Sequence, residues 1–142
     1  MARESSIEVQ ADPPVRPRVV FADDDPVVLT MLTSQLGDAF ECVGSAPDAD
    51  EAIALVESER PDLAILDVNM PGGGAIRATR EIHTLSPETA IVILSSDETR
   101  GDVVELMNSG AITYLTKGIR RDSLITKLTI AMQAHRKLRD GD

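Results

Sequence analysis

Five short apolar runs, separated by amphipathic stretches of helical length, constrain this chain more than any other feature. The runs are Arg18–Ala22, Glu41–Gly44, Leu63–Asp67, Ile91–Ser95 and Ile112–Leu115. Three of them are nearly unbroken in aliphatic residues, as expected of parallel strands buried on both faces. Strands that alternate with helices along a chain build a parallel sheet covered by helices on both sides. The pattern predicts an α/β fold, a doubly wound five-stranded parallel sheet in a (βα)5 sandwich.

The intervening helices are marked by their ends. Asp25 is placed to cap a helix whose first position is Pro26, with Val28, Leu32 and Leu36 on one face and Gly37 after it. Asp48 can cap a second helix carrying Ala52, Leu55 and Val56, which must stop near Arg60 because Pro61 follows. A third is expected from Ala75 to Leu85, before Ser86 and Pro87, a fourth from Glu98 to Ser109, before Gly110, and a fifth from Arg121 to Leu138. On the fifth, Leu124, Leu128 and Ala131 form the buried stripe. Residues 1–17, rich in Pro and acidic side chains, read as a flexible tail, and 18–142 as one domain.

Several function classes are disfavoured by composition. With 142 residues, the chain has room for one domain of ordinary size. A net charge of −10 repels a polyphosphate backbone, and an aromatic content of 2% leaves little for stacking on bases or flavins. No apolar run approaches the length of a membrane span or the core of a signal peptide, so a cytoplasmic protein without membrane insertion or direct nucleic-acid binding is expected. The single cysteine, Cys42, fits a reducing compartment and reads as a buried strand thiol beside Phe40 and Val43.

In open parallel sheets, ligands bind at the carboxyl ends of the strands. There the chain places Asp23, Asp24 and Asp25 after the first strand, Asp67 after the third, Ser95 and Ser96 after the fourth and Lys117 after the fifth. Clustered carboxylates repel one another unless a cation neutralises them. Oxygen donors without nearby His or Cys favour a hard ion, and an open, partly hydrated site suits Mg²⁺. Such a site can form an acyl phosphate, with Asp67 as nucleophile and with Lys117 and a hydroxyl binding the phosphoryl oxygens.

The segments VVFADDDP at 19–26, LAILDVNMP at 63–71, IVILSS at 91–96 and YLTK at 114–117 together resemble the response-regulator receiver family, over Arg18 to about Leu138. The resemblance implies a flavodoxin-like, CheY-like fold and a two-component or phosphorelay switch. A histidine kinase or histidine phosphotransfer protein would donate the phosphoryl group, and a downstream effector protein or domain would read the state. By the same resemblance Asp67 is the phosphoacceptor. Asp24 and Asp67 bind Mg²⁺ directly, Asp23 acts through a metal-bound water, and Asn69 offers its backbone carbonyl. Ser95 follows the phosphoryl group, Lys117 pairs with it, and burial of Tyr114 reports the switch. The implied protein is a signalling switch, catalysing only its own phosphorylation and dephosphorylation, with Mg²⁺ as its cofactor.

The chain departs from the family pattern in three places. Gly118 follows Lys117 where a cis proline is usual; a non-proline cis bond costs about 3 kcal/mol, so a trans bond or a strained one is expected, with a looser loop to Asp122. Gly72, Gly73 and Gly74 precede Ala75, which suggests a turn shifted by one residue, Gly74 taking the positive φ that Ala75 would resist. Ser96 stands where a smaller residue is usual and adds a hydroxyl beside the site.

Two other readings compete. Asp23 and Asp25 also fit the nucleophile and general acid of a haloacid-dehalogenase-type phosphatase, which leaves Asp67 unexplained. A flavodoxin-like cofactor-binding module is the second, resting on fold alone. Among ordinary explanations, His83 and His135 read as surface residues, and Arg136, Lys137 and Arg139 suit the negative end of a helix dipole. Ile125, Ile130 and Met132 on the last helix form either a wide buried face or a partner or homodimer surface.

Overall fold

A computed structural model describes residues 16–95 and 100–141. Five strands, β1 (Arg18–Ala22), β2 (Glu41–Ala46), β3 (Leu63–Asp67), β4 (Ala90–Ser95) and β5 (Thr113–Thr116), form one parallel sheet in the order β2-β1-β3-β4-β5. Five helices connect them: α1 (Pro26–Leu36), α2 (Ala49–Glu59), α3 (Gly74–Leu85), α4 (Arg100–Ser109) and α5 (Arg121–Arg139). The predicted segments before Arg16, residue Ser96 and the expected helix start at Glu98 lie outside the described residues.

Alternation along the central strands divides the core in two, because successive side chains point to opposite faces. Val20, Ala22, Ala64, Leu66, Ile91 and Ile93 pack toward α2, α3 and α4, with Ala52, Val56, Ala78, Ile82 and Leu106. Val19, Phe21, Leu63, Ile65, Val92 and Leu94 face the other way, onto Leu32 and Leu36 of α1 and Leu124, Leu128 and Ala131 of α5. Each fully buried Leu or Phe here removes apolar surface worth about 1.5–3 kcal/mol.

The starts of α1 and α2 follow the cap chemistry. The Asp25 carboxylate accepts from Val27 N–H at 2.9 Å with Pro26 at the first helical position, and Asp48 accepts from Glu51 N–H at 2.9 Å. The second helix ends at Arg60, whose φ of 48° is left-handed and whose N–H returns to the Val56 carbonyl.

Two readings of single residues are corrected. Cys42 is exposed, because β2 is an edge strand and only Ala46 of that strand is buried. His135 is buried, 7% exposed, and its Nε2 lies 2.8 Å from the Pro87 carbonyl at the amino end of the sheet. On α5, only Ile130 of the three apolar residues in question is well exposed, at 57%; Ile125 and Met132 pack against the core. His83 is exposed, as expected.

Candidate phosphorylation site

Strand order creates the site. The connection from β1 goes outward to β2, while β3 returns to the other flank of β1, so the carboxyl ends of β1 and β3 border the crevice where the chain reverses direction. Ala22 pairs with Leu66 at that edge, so the residues that follow emerge side by side. Asp23 is fixed by its N–H to the Ala46 carbonyl, at 3.0 Å, which extends the β1–β2 ladder by one bond. Asp67 is the last residue of β3, and the next amide, that of Val68, still pairs with the Leu94 carbonyl.

Asp23, Asp24 and Asp67 each present a carboxylate oxygen within 4.8 Å of the others. Asp23 and Asp67 are buried, at 1% and 2% exposure, while Asp24 is open to solvent. Lys117, just past β5, reaches over them, its ammonium 2.6 Å from Asp67 Oδ1 and 3.3 Å from Asp23 Oδ2. Beyond this one ammonium, neither buried oxygen has a protein partner. The other oxygens are satisfied locally: Asp23 Oδ1 accepts from Asp25 N–H at 2.9 Å, and Asp67 Oδ2 from Asn69 N–H at 3.3 Å.

Burial, reinforced by the Asp67 charge, raises the Asp23 carboxyl above its ordinary value despite the Asp25 amide and Lys117. For Lys117, burial acts to lower the ammonium, but the two carboxylates outweigh it and the group is raised. Three carboxylates against one ammonium leave a local charge deficit. Two buried carboxylate oxygens that share a single ammonium and an all-oxygen donor set fit a hard divalent cation, and Mg²⁺ suits a site with one open, solvated side. Asp23, Asp24 and Asp67 would hold it.

Ser95 is 3% exposed, at the end of β4 beside Asp67, and its carbonyl accepts from Lys117 N–H at 2.9 Å, tying β5's exit to the site. Tyr114 is 48% exposed on edge strand β5. The Lys117–Gly118 bond is trans, as no cis bond occurs among the described residues. Gly118 has φ +91° in a turn closed by Ile119 N–H to the Thr116 carbonyl at 3.3 Å. Gly72, Gly73 and Gly74 all take positive φ, at 84°, 96° and 73°, so the turn before α3 uses all three glycines.

Asp25 does not join the cluster: its side chain caps α1 and its amide supports Asp23. The dehalogenase-type pairing of Asp23 with Asp25 therefore lacks its general acid. Sequence reasoning missed Arg77 of α3, whose guanidinium reaches the Gly72 carbonyl at 2.7 Å and Asp50 at 2.6 Å. The Arg77–Glu81 spacing was a visible signal, whereas the reach to Asp50 was not.

Comparison with known proteins agrees with this geometry. The fold and site define a receiver, and residues 19–129 match the model of the response regulator receiver domain. The chain belongs to the response-regulator receiver family. It is 34% identical over 131 residues to the transcriptional regulatory protein PdtaR of Mycobacterium tuberculosis, covering 90% of this chain and 62% of PdtaR. It is 31% identical over 110 residues to the response regulator GacA of Pseudomonas aeruginosa, covering 76% of this chain and 51% of GacA. The chain thus spans about half to three fifths of the length of these relatives. In fold, it resembles the CheY-like receiver domain protein from Methanospirillum hungatei, with a TM-score of 0.79 at 23% identity, covering 87% of this chain and 98% of that one.

Proposed function

We propose that this chain is a phosphorylation switch in which Asp67 accepts the phosphoryl group. The observation that carries the reading is the meeting of Asp23, Asp24 and Asp67 under the Lys117 ammonium at the strand-order reversal. In the transfer, an Asp67 carboxylate oxygen forms a bond to phosphorus as the bond from phosphorus to the donor breaks. The electron pair leaves with the donor, an imidazole nitrogen for a phosphohistidine, which regains a proton. Mg²⁺ bound to the carboxylates would offset the charge of both anionic partners. Lys117 steadies the phosphoryl oxygens as charge shifts onto them, and burial of Asp67 limits water access to the acyl phosphate. Asp23 would act through a metal-bound water, and Asn69 would supply its carbonyl.

Ser95, sharing the edge with Asp67, is read as the hydroxyl that moves toward the phosphoryl group, and Tyr114 as the ring whose burial follows. The donor is a histidine kinase or histidine phosphotransfer protein, and the output passes to an effector protein or domain or to a second copy of the chain. We read residues 18–142 as the receiver unit, 1–17 as its tail and the cytoplasm as its compartment; among the described residues no helix is long and apolar enough to cross a membrane. Self-catalysed dephosphorylation, by water attack on phosphorus returning the carboxylate and inorganic phosphate, completes the cycle.

Intact mass after incubation with acetyl phosphate and Mg²⁺ tests the reading. One added phosphoryl group, lost in Asp67→Asn and without metal, is expected. Labelling that persists in Asp67→Asn would overturn the assignment.

A further inference from the structure

The loop between β3 and α3 carries Asn69, whose N–H holds Asp67 Oδ2, yet it runs directly into three glycines of positive φ. Glycine loses more backbone freedom on ordering than any other residue. Something outside the loop must therefore fix its course. Two of its carbonyls are taken by neighbours. Pro71 O accepts from Ala49 N–H at 3.0 Å, at the start of α2, and Gly72 O accepts from Arg77 Nη1 at 2.7 Å. The same Nη1 lies 2.6 Å from Asp50 Oδ1 on α2, and Arg77 Nε donates to Glu81 Oε2 at 2.9 Å. A Cβ on Gly73 would stand 2.9 Å from Arg77 Cδ, so the aliphatic stem of Arg77 occupies the space that the glycine leaves.

We infer that Arg77 is a positioning residue for the phosphorylation site: by clamping the Gly72 carbonyl to Asp50 of α2, it sets the loop that delivers Asn69 to Asp67. The inference rests on the phosphoacceptor reading above. An exposed ion pair is ordinarily worth little to stability. The function of this clamp lies in geometry, since Arg77 bonds a loop carbonyl and a partner helix through one planar group, which lysine's point charge does not reproduce. Loss of the clamp widens the loop's range and lowers the population in which the Asn69 carbonyl and Asp67 face a common cation.

The test measures Mg²⁺ affinity of the unphosphorylated full chain by titration calorimetry at 25 °C, for wild type, Arg77→Gln, Asp50→Asn, the double variant and Arg77→Lys. Arg80→Gln serves as control, because it removes a comparable exposed pair, Arg80 to Glu105 at 3.5 Å, on the same helix without touching the loop. Partners outside the ligand shell commonly change metal affinity about 10–100-fold, and this clamp acts one link further out, so a loss of about three- to tenfold is expected. Arg77→Lys should recover only part of it, the double variant should lose no more than the worse single variant, and Arg80→Gln should bind as wild type. Acetyl phosphate labelling at saturating Mg²⁺ should remain. Wild-type affinity in both single variants, or equal weakening in Arg80→Gln, overturns the inference while leaving the phosphoacceptor reading intact. Failure of wild type to bind Mg²⁺ or to be labelled at Asp67 overturns that reading instead.

Discussion

Lys117 and Asp67 meet at 2.6 Å across the edge of the sheet, so one ammonium from the end of β5 directly balances the buried carboxylate at the end of β3. One cation for three carboxylates is too few. The site as folded therefore stores repulsion that a divalent ion or the loss of one carboxylate relieves.

Asp67→Asn should accordingly be more stable than wild type in metal-free buffer, by about 1 kcal/mol or roughly 3 °C in Tm for a domain of this size. Adding Mg²⁺ should raise the Tm of wild type and leave the variant nearly unchanged. Thermal denaturation with and without Mg²⁺ checks both; a variant that melts below wild type without metal would show that the Lys117 pair outweighs the repulsion.

Gly118 sits third in the turn from Thr116 to Ile119, where positive φ is required of a type II turn, and its own φ is +91°. Proline holds φ near −65°, so Gly118→Pro must rebuild the turn that positions Lys117. Phosphorylation should slow in Gly118→Pro. Gly118→Ala, with nothing within 4 Å of the added Cβ, should pay only the backbone cost of about 1–2 kcal/mol. Labelling rates with acetyl phosphate, beside Tm values, separate the two effects.

At the opposite end of the sheet, burial acts to raise the Glu88 carboxyl, but its own amide, the Ser86 hydroxyl, Arg60 and Arg139 together bring it below its ordinary value. A depressed carboxyl contributes stability that is complete above its unfolded value and lost as pH falls through its folded one. The acid limb of the stability profile, below pH about 4, should thus be shallower in Glu88→Gln, with a loss at neutral pH of only about 0.5 kcal/mol because the pair is partly exposed. Urea denaturation across pH 2.5–7, a span set by the ordinary carboxylate range of about 4, reads this directly.

His135→Ala should cost about 2 kcal/mol, because it opens space in the core and leaves the Pro87 carbonyl without its 2.8 Å partner. Labelling at Asp67 should be unaffected, as the contact lies at the far end of the sheet. Chemical denaturation and labelling of one preparation give both numbers.

Strands β3 and β4 were legible because burial on both faces leaves an almost purely aliphatic run, and α1 and α2 because Asp25 and Asp48 cap them through bonds to residues two and three positions on. The site residues could be picked out because parallel topology sends strand ends to one edge wherever they fall in sequence. What could not be read were contacts that depend on which distant segment lies opposite. His135 meets a carbonyl 48 residues away, and Arg77 meets Asp50 27 residues away. Cys42 was misread for a related reason: Phe40 and Val43 describe its neighbours in the chain, but exposure depends on β2 lying at the rim of the sheet.

That rim position makes Cys42 a practical matter. It is the only thiol in the chain and it is open to solvent. Two molecules stored in air can therefore join through Cys42 in a covalent dimer that owes nothing to phosphorylation. Sedimentation of the phosphorylated and unphosphorylated protein will report signal-dependent pairing only in the presence of reductant or in a Cys42→Ser background. The same exposure lets one fluorophore be attached at a single known place, with no cysteine needing to be introduced or removed.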